Sequence, residues 1–148
     1  MNVLHGYDGE NLRAGIDESQ VSILLNDLPR RMPGVVHAIA LAADGMKVAW
    51  TDLLDATHAD KLSAAVSSLS TLATTVSFEL GTGAPSYTMI VMEGGTLLIM
   101  PVGNRLCLAA LARPDADIGG VAGELAATVE RVGELITPAQ RQPAAVSR

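Results

Sequence analysis

The chain is short of aromatics, lysine and cysteine, and along one stretch it has no charge at all. Phe, Trp and Tyr make up 3% of its 148 residues, so any core must be aliphatic and rich in alanine. The single cysteine, Cys107, excludes an internal disulfide. Lying in the apolar run Leu106–Ala112, it reads as a small core residue rather than a nucleophile. The only lysines are Lys47 and Lys61, and neither follows a glycine-rich loop that would cradle phosphates, which argues against an NTPase. Gly81-Thr82-Gly83 and Gly94–Gly95 read as turns instead. Basic residues are scattered, only Arg30 and Arg31 are adjacent, and the formal net charge is -6. Nothing here forms a stripe able to neutralise nucleic-acid phosphates or an anionic membrane.

Other absences narrow the field further. No apolar run reaches the roughly 20 residues that span a bilayer. The start, Met1 to Asn11, is polar and acidic, unlike a secretory signal, so a soluble cytoplasmic location is expected. His5, His37 and His58 lie far from one another and from Cys107, which leaves no metal-ligand spacing. His37 reads as a half-buried, hydrogen-bonded strand residue and His58 as a surface group. No strand-to-helix serine elbow is present. Arg105, beside Gly103–Asn104, reads as a solvated hairpin residue, and Trp50 as the anchor of a sheet edge under a helix. No catalytic residue, metal or cofactor is expected.

What is present centres on residues 57–80, where no charge occurs between Lys61 and Glu79. Leu62, Ala65, Val66, Leu69, Leu72, Ala73, Val76 and Leu80 recur at three-and-four spacing and predict one buried helical face. The opposite face carries Ala64, Ser67, Thr71, Thr74 and Phe78, flanked by Ser63, Ser68, Ser70, Thr75 and Ser77. Small uncharged side chains allow close approach and lower the cost of being covered. This stripe predicts a helix–helix interface with another chain.

The rest of the chain supplies the frame. Asp17 or Ser19 caps a first helix with Val21, Leu24, Leu25 and Leu28 inside, and Pro29 is expected to stop or kink it. Val35–Ala43 and Met46–Thr51 read as strands joined by the Asp44–Gly45 turn. Three more strands follow at 86–93, 96–102 and 105–112, the last apolar enough for a central position. Asp115 or Asp117 caps a final helix with Ile118, Val121, Leu125, Val129, Val132 and Ile136 inside. Residues 1–16 read as a flexible arm, 17–136 as one domain, and 137–148 as a disordered tail.

The order α-β-β-α-β-β-β-α, carried by "LLNDLPRRMPGVVHAIALAADGMKVAW", "HADKLSAAVSSLSTLA", "MIVMEGGTLLIMPVGNRLCLAALA" and "PDADIGGVAGELAATVERVGELI", resembles the roadblock (dynein light chain) family. The match runs over about residues 18–136 and is nearest to the actinobacterial type encoded beside small Ras-like GTPases. Pro29 departs from that pattern. The resemblance implies an α+β, profilin-like α/β/α sandwich with a mostly antiparallel five-stranded sheet of order 2-1-5-4-3. It implies a homodimer joined through the second helix and third strand, here Ala64, Ser67, Ser68, Thr71, Thr74, Thr75 and Phe78 with Tyr87, Met89 and Val91. It also implies a non-enzymatic scaffold or regulator that binds a small Ras-like GTPase and modulates its GTP hydrolysis. The alternatives are a small-molecule sensor domain of the same fold and a purely structural adaptor.

Overall fold

The computed structural model describes residues 15–136. The expected arm and tail therefore lie almost wholly outside the described residues. Ile16, at the near end of the expected arm, packs against the main core.

The first helix, α1 (Glu18–Arg31), is capped by the Asp17 carboxylate, which accepts from the Ser19 and Gln20 amides at 3.1 and 3.2 Å. Pro29 does not stop it. Only the last turn is affected by the missing donor, and Met32 N–H still reaches the Leu28 carbonyl at 2.9 Å. Arg31 then ties the helix end to Glu124, Thr128 and Asp27. The chain turns at Gly34, where an added Cβ would sit 2.5 Å from that of Ala116, so the entry to the sheet needs glycine.

Strands β1 (Val35–Ala42) and β2 (Lys47–Trp50) form the predicted hairpin. The second helix, α2 (Ala56–Leu80), ends in Gly81 at φ 67°, the left-handed cap that glycine adopts without strain. Strands β3 (Thr88–Met92), β4 (Gly95–Val102) and β5 (Leu106–Ala112) lead into α3 (Ile118–Glu134). Every pairing is antiparallel and the sheet order is β2-β1-β5-β4-β3, as expected, with β5 central.

Strand alternation divides the core in two. Ala38, Ala40, Leu98, Met100, Leu108 and Ala110 face α1 and α3, meeting Val21, Leu25, Leu28, Val121, Leu125 and Val132. Ile39, Leu41, Leu97, Ile99 and Ala109 face α2, with Ala59 and Val66. Trp50 packs at the margin of this second cluster, and Lys47 lies 4.9 Å from its ring centre. The strand β3 makes its main contacts with β4 alone and forms one edge of the sheet.

The rotation of α2 differs from the sequence expectation. Ala59, Ser63 and Val66 are the buried residues, while Leu72, Val76 and Leu80, assigned above to the core, are exposed. The reason is steric: the helix sets its small residues toward the sheet, where they allow close approach. The larger aliphatic row is turned to one flank.

Candidate self-association surface

The helix α2 is locally well specified. The Asp55 side chain caps it by accepting from the His58 amide at 2.9 Å and pairs with the His58 ring at 2.7 Å. The backbone hydrogen bond from His58 is the main reason the Asp55 carboxyl is held below its usual value. Lys47 reaches across from β2 to Asp60. Charge is thus concentrated in the first turns, and the remaining turns are neutral as far as Glu79.

Those neutral turns present three rows, because successive residues step round the helix by about 100°. The first faces the sheet: Ala59, Ser63, Val66, Ser70 and Ala73. Ser70 meets Cys107 at 3.6 Å there, and burial pushes the Cys107 thiol up, which keeps it protonated. The second is the flank with Ser67, Thr71, Thr74 and Phe78. The hydroxyls of Thr71, Thr74 and Thr75 each donate to the carbonyl four residues earlier, at 3.0–3.1 Å. The third flank is aliphatic. Leu62 and Leu69 are half-buried in the cluster that also holds Ile90 of β3, but Leu72 is 60% exposed and Val76 56%.

Between α2 and the ends of β1, β4 and β5 lies a cavity of about 320 Å³. Ser67, Thr71, Thr74 and Tyr87 line it, with Ile99, Pro101 and Cys107 among the sheet residues. The structure therefore brings four of the sequence-selected residues together round one hollow. Ala64, Ser68, Thr75 and Phe78 are exposed beyond it, Phe78 by 82%. Met89 and Val91 are placed elsewhere. They pair with Leu98 and Thr96 and so share the face of the sheet toward α3, opposite to α2. Both remain exposed, Val91 by 72%. With Thr88, Ile90 and Met92 they make β3 an uncharged edge strand, which proteins normally protect.

The exposed residues that sequence reasoning missed are Leu72, Val76 and Leu80. Their signal was present as the three-four-three-four spacing of Leu62, Ala65, Leu69, Leu72 and Val76, a pattern that a core-facing row shares with a seam between helices.

The remaining sequence candidates are scattered. Nδ1 of His37 is buried and has no hydrogen-bond partner, contrary to the hydrogen-bonded histidine expected. His58 is exposed. Among the described residues, no three His, Cys, Asp or Glu side chains are grouped to hold a metal ion, and no helix is long and apolar enough to cross a membrane.

Comparison with known proteins places this arrangement. The family model for the Roadblock/LC7 domain matches residues 24–112. A crystal structure of a Roadblock/LC7 domain from Streptomyces avermitilis is 28% identical, covering 75% of this chain and 92% of that one, with a TM-score of 0.72. A structure described as MglB with a tetrameric arrangement is 17% identical, with 80% and 89% coverage and a TM-score of 0.73. A Loki profilin in complex with rabbit actin shares the fold at 15% identity, with 79% and 98% coverage and a TM-score of 0.56. No curated protein matches the chain.

Proposed function

The chain belongs to the Roadblock/LC7 family, and on that premise we propose that it is a homodimeric, non-enzymatic scaffold that binds a small Ras-like GTPase and modulates its GTP hydrolysis. The observation that carries the self-association is the uncovered, uncharged surface formed by α2 and the edge strand β3. In this reading two copies meet along α2 and β3, with Tyr87, Met89 and Val91 contributed by the strand side. A solved relative of the same fold is itself described in a tetrameric arrangement, which supports assembly as a use of this architecture. The GTPase is inferred from the resemblance of the chain to roadblock proteins of the bacterial type. A cytoplasmic site of action goes with that partner.

The test is co-elution of the purified chain with a small Ras-like GTPase from the same genome, loaded with GDP or with a non-hydrolysable GTP analogue. Preferential co-elution with the GTP form is expected, followed by a changed hydrolysis rate when the two are mixed. An unchanged rate in a stable complex would make the protein a structural adaptor. No complex in either state would overturn the reading.

The cavity beside α2 is what a sensor domain would use. Its size lies at the lower end for small-molecule sites, and the Thr71 and Thr74 hydroxyls on its wall already donate to their own helix. A metabolite that raises the thermal midpoint of the isolated chain would favour that reading.

A further inference from the structure

We propose that the hollow under the C-terminal half of α2 is a binding site for an uncharged, largely apolar small molecule of one or two rings that carries one hydroxyl or N–H donor. The site goes beyond the scaffold reading and does not depend on it. Binding is measured on the chain alone, and GTPase capture separately.

The hollow follows from where α2 rests. Its main contacts with the sheet are with β1 and β2, and Val66 is its last fully buried residue. Beyond Val66 the residues turned to the sheet are Ser70 and Ala73, too small to fill the space over β4 and β5. About 320 Å³ is left above a floor in which Leu41, Ile99 and Leu106 are buried. A leucine at position 73 would suit the helix almost as well and occupy much of that space, so helix propensity does not require the gap.

The walls define what fits. Among the described residues that line the hollow, none is charged, and burial keeps Cys107 as the neutral thiol. A charged ligand would lose its hydration there and gain no counter-ion. The floor is aliphatic, and the volume lies at the small end of ligand sites, which suits one or two rings. Polar groups sit at the mouth, where Thr71 and Thr74 are exposed. Their hydroxyl hydrogens are committed to the carbonyls of Ser67 and Ser70, at 3.1 and 3.0 Å. Each oxygen keeps lone pairs and can only accept. The mouth therefore asks its ligand for a donor.

The single cysteine of the chain lies on the wall and reports occupancy. Alkylation of Cys107 by iodoacetamide is followed by mass spectrometry on the full chain, with 2-naphthol, 2-methoxynaphthalene or 2-naphthoate present. Saturating 2-naphthol is expected to slow alkylation by about tenfold or more, since a bound ring covers the thiol. 2-Methoxynaphthalene keeps the oxygen but cannot donate, and should need about a fivefold higher concentration for half-protection, the worth of one hydrogen bond. 2-Naphthoate should leave the rate within about twofold, because its carboxylate meets no cation. In Thr71→Val combined with Thr74→Val, both at exposed positions, the difference between the first two probes is expected to vanish. Ala73→Leu fills the hollow and should abolish protection by every probe. No protection by 2-naphthol in the unmodified chain, or protection that survives Ala73→Leu, would overturn the site. Equal protection by the methoxy compound, or protection by the carboxylate, would overturn the ligand class. None of these results bears on whether the chain captures a GTPase.

Discussion

On one side of the sheet, α1 and α3 together close a core in which Leu25, Leu108 and Leu125 are wholly buried; on the other, α2 lies alone and leaves Leu72, Val76 and Phe78 in water. Strand residues are apolar on both sides, so both faces ask for cover. Two helices are enough to satisfy one face. A single helix, whose fully buried residues are Ala59, Ser63 and Val66, is not enough for the other, and β3 is left at the edge of the sheet with Ile90 packed into the cluster under α2. The difference teaches that folding alone closes the first face and leaves the second partly open.

That contrast is broken most forcefully from the closed side. Leu125→Ala removes a fully buried side chain from between α3 and the sheet and should cost about 3 kcal/mol of unfolding free energy. Urea denaturation measures it, under conditions where the protein is monomeric. Leu72→Ala, on the open side, should change the same monomer stability by less than about 0.5 kcal/mol. Similar losses for the two variants would mean that Leu72 is covered within its own chain, and the two faces would no longer differ in kind.

Gly34→Ala probes the closed side through its backbone. The new methyl would meet the Ala116 Cβ at 2.5 Å, so the loop entering α3 must shift away from the turn before β1. Overpacking of this sort costs about 1–3 kcal/mol, read as a lower urea midpoint. The comparison sharpens if Gly83→Ala, where nothing lies within 4 Å, lowers the midpoint less despite its φ of 83°.

The element order was readable from the residues because most boundaries carry a signal of their own. Asp17 caps α1, Asp44–Gly45 turns a hairpin and Gly81 ends α2, whereas Asp117, one of the two caps expected for α3, stands at the N-cap without a side-chain cap bond. The central place of β5 was readable from its unbroken apolarity, and the full strand order from the family resemblance. The rotation of α2 was not. All three of its rows repeat at three and four, so periodicity alone cannot say which one meets the sheet. Size pointed the wrong way, since Leu72, Val76 and Leu80 look like core and Ser63 does not. Pro29 misled for a related reason: a missing donor matters less in the final turn, where Arg31 is anchored to another helix. The face of Met89 and Val91 depends on register, and only the pairing with Leu98 and Thr96 fixes it.

The smallest effect has the opposite sign and falls on the row of α2 that sequence pattern placed wrongly. Ser63 is 1% exposed, and its hydroxyl has no hydrogen-bond partner, whereas Thr71, Thr74 and Thr75 each bond back to the helix. A buried hydroxyl loses its water without compensation, and alanine is also the better helix former. Ser63→Ala should therefore stabilise the monomer by about 1 kcal/mol, seen as a higher urea midpoint with an unchanged denaturant slope. Thr71→Ala, on the exposed flank, should stay within about 0.5 kcal/mol of the parent. A lower midpoint for Ser63→Ala would mean that the hydroxyl is satisfied by a buried water between α2 and the sheet. The open face would then be held partly by polar contacts, and its incomplete closure would owe less to the helix's small side chains than the packing indicates.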